Sequence, residues 1–127
     1  MEGDKEFEEI SREVIGAAIE VHRALGPGLL ESAYEHCLCH ELKLRGINHE
    51  RQVPVPVFYK GLELDCAYRL DLVVDRQLVV EIKAVDSVLP VHTAQLLTYL
   101  KLTGIRIGLL MNFHVNTLRD GIKRVVL

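Results

Sequence analysis

Apolar side chains recur every three or four residues from Phe7 through Ile10, Val14, Ala17, Val21 and Leu25, and Gly26-Pro27-Gly28 follows at once. That period is helical, so it predicts a first amphipathic helix halted by the Gly-Pro-Gly turn. Tyr34, Leu38 and Leu42 continue the period, predicting a second helix from about Leu30 to Arg45, with Gly46 as its stop. From Arg51 the texture changes to that of strands. Arg51 to Tyr59 reads as a first strand, which Pro54 and Pro56 confine to a sheet edge or an irregular entry. Lys60-Gly61 is a turn, and Leu62 to Val74 is a second strand with a bend near Asp65. Polar Asp75-Arg76-Gln77 then separates it from a third, residues 78 to 84. Leu89-Pro90 introduces a third helix, Val91 to Leu102, ended by Gly104, and Ile105 to Phe113 forms a further apolar strand. Asn116 to Leu127 has room for a short helix or a final strand. The order α-α-β-β-β-α-β, without repeats or linkers, predicts one α/β domain over residues 1–127, a mixed sheet flanked by helices.

Charge interrupts this pattern in one place. Arg69-Leu-Asp71-Leu-Val-Val and Leu-Val-Val-Glu81-Ile-Lys83 set ionisable side chains among Leu, Val and Ile on two strands predicted to pair. If a three-residue loop joins them, Val74 faces Leu78 and the pairing runs out until Asp71 faces Glu81. Directly opposed side chains stand about 5 Å apart, where like charges repel. Lys83 lies two residues beyond Glu81 on the same face, about 7 Å along the strand. A cation between the carboxylates would turn repulsion into coordination. Two other readings stand beside this one: a solvated sheet face with an ordinary Glu/Lys pair, and a two-residue loop that would put the acids on opposite faces.

Composition narrows the classes. The 127 residues, 49% apolar and 26% charged, describe a globular chain of one-domain size. A net charge of −3 supplies no global basic field, so binding of nucleic acid would depend on local Lys and Arg or on a metal. Cys37, Cys39 and Cys66, an odd number, suggest reduced thiols rather than a disulfide framework. The acidic start lacks the features of a signal peptide, and no stretch approaches a membrane span, so a cytoplasmic protein is expected.

Other constellations add to the hairpin. On the third helix His92, Gln95 and Tyr99 form a polar stripe while Leu96, Leu97 and Leu100 serve the core. The first turns of that helix should lie near the strand end that carries Lys83. Glu31 opens the second helix, where the dipole alone would favour a carboxylate by about 0.3–1 kcal/mol. It also shares the inward face with Tyr34 and Leu38. His36 and His40 have chelating spacing, but Cys37 and Cys39 point in nearly opposite directions on a helix, which argues against structural zinc and for free thiols. His22, His49 and His114 are isolated, and no serine or cysteine triad is supported.

In this order, Asp71, Glu81-Ile82-Lys83 and Gln95-Leu-Leu-Thr-Tyr99 resemble the PD-(D/E)xK nuclease superfamily, the last being similar to the QxxxY element of its RecB-like branch. Gly28-Leu-Leu-Glu31-Ser-Ala-Tyr34 resembles the signature of the GxxExxY proteins. The resemblance implies a restriction-endonuclease-like core and a nuclease that needs Mg²⁺ or Mn²⁺, with DNA favoured over RNA. It implies Asp71, Glu81, the Ile82 carbonyl and Glu31 as metal ligands, and Lys83 as the group that orients or deprotonates water. Gln95 would position water or phosphate, with Tyr99 and Tyr34 in support. Leu70 replaces the proline usual before the first acid. Two readings compete with catalysis: a silent nuclease-fold protein that binds nucleic acid or a protein partner, and a homodimeric module whose apolar face the sequence does not separate from a core stripe.

Overall fold

The computed structural model describes residues 2–127, and side chains other than those of 2–7, 66 and 67; Phe7 and Cys66 of the sequence reading therefore lie outside the described side chains. Helix α1 (Glu2–Leu25) and helix α2 (Glu31–Leu44) are followed by strands β1 (His49–Tyr59), β2 (Leu62–Val74) and β3 (Leu78–Lys83). Helix α3 (Pro90–Thr103), strand β4 (Ile107–Asn112), a 3₁₀ turn (Leu118–Gly121) and strand β5 (Ile122–Val126) complete the order. The tail thus holds both of the elements considered for it, and β5 extends the predicted order.

The sheet runs β1-β2-β3-β4-β5, with only β3 and β4 parallel, as the intervening helix requires. Its two faces are covered by different helices. Val14, Ala17 and Val21 of α1 and Tyr34, Leu38 and Leu42 of α2 pack against Leu72, Val80, Ile82, Leu109 and Met111. Leu96, Tyr99 and Leu100 of α3 pack on the opposite face, against Val73, Val79 and Leu110. This is a mixed sheet flanked by helices, consistent with a restriction-endonuclease-like fold. Leu25, expected in the first helical stripe, is 40% exposed because α1 ends there.

Strand β1 is an edge, where Pro54 and Pro56 interrupt no central ladder. Its register against β2 shifts between Val55 and Val57, opposite the predicted bend near Asp65. The β2–β3 turn meets the register condition in an unforeseen way. Asp75 and Arg76 both have left-handed backbone, and the Gln77 N–H donates to the Val74 carbonyl at 3.0 Å, which together make a two-residue tight turn. Gln77 is then an extra, bulged residue, so Val74 still pairs with Leu78.

Candidate active site

The hairpin register carries Asp71 and Glu81 to facing positions, one step beyond the last paired residues, Leu72 and Val80. There side chains replace the ladder. The Asp71 N–H donates to Glu81 Oε1 at 3.2 Å, and the Ile82 N–H donates to Asp71 Oδ2 at 2.8 Å. A strand residue directs its N–H and C=O to the same edge, so the Ile82 carbonyl faces the same gap between β2 and β3.

The gap exists because β2 kinks. Leu70 and Val73 both pack on the α3 side, while Leu72 and Val74 pack on the α1/α2 side. Strict alternation would place Leu70 with Leu72, so the pleat breaks at Asp71. Its neighbour on the edge strand is equally irregular: Gln52, between Arg51↔Leu72 and Val53↔Leu70, has φ +54° in the middle of β1.

Helix α2 closes the site from one face. Glu31, Ser32 and Glu35 line a cleft of about 200 Å³ together with Gln52, Asp71, Ile82 and Lys83. Glu35 is buried and satisfied at both oxygens. Gln52 Nε2 donates to its Oε1 at 2.7 Å, and Arg51 Nη1 pairs with its Oε2 at 2.8 Å. Gln52 Nε2 also reaches Asp71 Oδ1, at 3.5 Å. Glu31 is half-buried at the cleft wall. A larger groove, of about 840 Å³, lies between the 86–90 loop, α3 and β5; its walls include none of the site residues predicted from the sequence.

Burial sets the electrostatics. Removal from water pushes Glu81 up to about 9, with the Asp71 carboxylate as the second cause. Asp71 is raised as well, chiefly by burial and further by Glu35, against the downward pull of the Ile82 N–H and of Lys83. Two carboxyls in contact, Glu81 buried and Asp71 half-buried, cannot both stay ionised unaided. A proton, or a cation, must make up the deficit.

The chain matches the PD-(D/E)XK nuclease superfamily over residues 8–125. It belongs to that superfamily. No curated protein and no solved structure matches it. PD-(D/E)XK nucleases generally use divalent metal ions, and the donor chemistry here fits such an ion: a buried and a half-buried carboxyl beside a backbone carbonyl offer hard oxygen donors. Among the described residues, no three His, Cys, Asp or Glu side chains converge on one point.

The other sequence-predicted residues separate by position. Tyr99 is buried on α3, and its phenol is pushed up by burial first and by the Glu81 carboxyl second, which puts it beside the acids. Gln95 is exposed one helical turn earlier, with no hydrogen bond to either acid. His92, expected in the same stripe, instead accepts the Leu89 N–H at its Nδ1 and caps α3.

Tyr34 is not in the cleft. It is fully buried and stacked on Phe113 at 4.5 Å; its hydroxyl donates to the Gly26 carbonyl and accepts the Leu29 N–H at 3.1 Å. It thereby staples the turn in which Gly26 (φ +69°) and Gly28 (φ +103°) take backbone that other residues resist. Its support for Glu31 is indirect, through the start of α2.

Sequence reasoning misses three residues. Glu35 lies three and seven positions before Leu38 and Leu42, so the helical period did mark it as inward-facing. Gln52 and Asn112 carried no such signal. Asn112, buried at the end of β4, bonds both the N–H (3.1 Å) and the carbonyl (2.9 Å) of Val85, and the Phe113 N–H donates to the Lys83 carbonyl at 2.8 Å. These bonds strap down the strand end that carries Lys83.

Proposed function

We propose that this protein is a divalent-metal-dependent nuclease that hydrolyses phosphodiester bonds, with DNA favoured over RNA as substrate. The observation that carries the reading is the pair of mutually repelling carboxyls, half-buried Asp71 and buried Glu81, held face to face within reach of Lys83. Asp71, Glu81 and the Ile82 carbonyl would hold Mg²⁺ or Mn²⁺, and Glu31 would complete the set from α2. A bound divalent cation polarises the phosphoryl group and neutralises charge as the bond breaks.

The chain's own groups do the rest. Lys83 presents its ammonium at the cleft, where it orients or helps deprotonate the attacking water and offsets charge on the phosphorane-like transition state. Gln95, on the exposed face of α3, positions water or phosphate once substrate covers that face. Tyr99 buttresses Glu81 from beneath.

The glycine, Glu31 and Tyr34 of the α1–α2 turn support a place among the GxxExxY proteins, and Gln95 with Tyr99 supports the RecB-like branch. The 127 residues would act as a single domain. No helix among the described residues is long and apolar enough to cross a membrane; with the unpaired thiols Cys37 and Cys39, this supports a cytoplasmic site of action. The deciding experiment is cleavage of single- and double-stranded DNA with EDTA, Mg²⁺ or Mn²⁺. Cleavage should require the metal and vanish in Asp71→Ala, Glu81→Ala and Lys83→Ala; unchanged cleavage by the three variants refutes the assignment.

A further inference from the structure

A glutamine inside a strand has no ordinary reason to adopt left-handed backbone. Only glycine, and less often Asn, Asp or His, does so readily, because the Cβ crowds the neighbouring carbonyl. Gln52 holds φ +54° in β1, opposite the kink at Asp71. Strain of this kind persists only where surrounding contacts over-determine it.

Here the contacts are specific. The Gln52 amide stands between two carboxylates, donating from Nε2 to Glu35 Oε1 at 2.7 Å and to Asp71 Oδ1 at 3.5 Å. Both partners are acceptors, so the amide must turn its NH₂ toward them. Glu35 in turn is anchored by Arg51 at its other oxygen, and Asp71 by the Ile82 N–H. The result is a continuous chain from Arg51 through Glu35 and Gln52 to Asp71, ending on the strand that carries Glu81 and Lys83.

We infer that Gln52 is a positioning residue for the cation site: its left-handed backbone and bridging amide fix the rotation of the Asp71 carboxylate, with Arg51 and Glu35 as the anchor. Glu35 thus serves as a support rather than as a ligand, since both its oxygens are engaged. The inference rests on the metal-dependent reading of the cleft. Removal of such supports behind a metal ligand lowers metal affinity by about 10–100-fold in other proteins.

Two substitutions separate backbone from amide. Gln52→Ala and Gln52→Gly both delete the bridge, and they differ in whether left-handed backbone is strained. The glycine variant should therefore melt about 3 °C above the alanine variant without metal. If Gln52 were ordinary extended backbone, the order would reverse, because glycine weakens a regular strand, and the inference would fall. By calorimetric titration, both variants should bind Mn²⁺ at least about 10-fold more weakly than the unaltered protein. Asp75→Gly, at another left-handed position remote from the cleft, should leave that affinity unchanged. Equal Mn²⁺ affinity in the unaltered protein and the Gln52 variants overturns the inference alone. No Mn²⁺ binding by the unaltered protein overturns the cation reading and this inference with it.

Discussion

The raised carboxyl at position 81 predicts a stability that depends on pH in an unusual direction. Glu81 titrates at about 9 in the folded chain, against an ordinary value of 4.5, through burial first and Asp71 second. Between those values the folded chain holds a proton that the unfolded chain has released, so stability is highest at the acid end of the window and falls as pH rises. The slope for one proton is about 1.4 kcal/mol per pH unit, or about 3 kcal/mol between pH 5 and 7. That is an upper bound, because side-chain rotation and water entry relieve a buried charge. Glu81→Gln keeps the shape and the acceptor for the Asp71 N–H while removing the titration. Groups remote from the pair cancel in the difference, whereas Asp71, which shares the pair's proton, does not, so the one-proton figure stands as a bound: at pH 7 with EDTA the variant should gain up to about 10 °C in Tm, relative to the unaltered protein, over the difference seen at pH 5. Thermal melts at pH 5, 6, 7 and 8 measure it. Mn²⁺ should restore the unaltered protein at pH 8 and leave Glu81→Gln where it was. Parallel pH profiles for the two proteins would refute the buried, proton-sharing pair.

Two further substitutions test how the site is held. Tyr34→Phe removes the donor to the Gly26 carbonyl and the acceptor of the Leu29 N–H; it should cost about 1–2 kcal/mol in urea denaturation. Asn112→Ala leaves the Val85 N–H and carbonyl without their side-chain partner. Its cost should be about 2–3 kcal/mol, with faster hydrogen exchange at Val85 and weakened cleavage as Lys83 loses its strap.

Much of this arrangement was legible in the sequence, and the physical reason is periodicity. Val14, Ala17, Val21, Leu38 and Leu42 recur at helical spacing because one stripe must be buried, and they lie in the core as read. The prolines of β1 named an edge strand because they cannot donate to a central ladder. The hairpin was harder, since its register depended on the loop. Asp75 and Arg76 make the two-residue turn that would have separated the acids, and the bulged Gln77 restores the facing pair. No local propensity distinguishes these outcomes. What does is the burial of Leu72, Val74, Leu78 and Val80 on one face, which a one-residue slip would turn outward.

The residues that escaped sequence reading share a different cause. Periodicity describes regular backbone, and the site is where regularity stops. Leu70, Asp71, Leu72 and Val73 read as a strand with one misplaced charge, whereas the kink turns Leu70 to the α3 side and lets the Asp71 carboxylate bond the next strand's backbone at Ile82. Gln52, which shares that kink, shows nothing unusual as a letter in Arg51-Gln52-Val53; its importance lies in a dihedral angle. An unbroken β2 would have carried Leu70 to the other face and kept the Asp71 backbone in the ladder with β3, leaving no gap between the strands for a cation. The break in alternation is therefore what converts two ill-placed acids into a facing pair of carboxyls at an open gap, and the strain at Gln52 is the part of that conversion that a substitution can isolate.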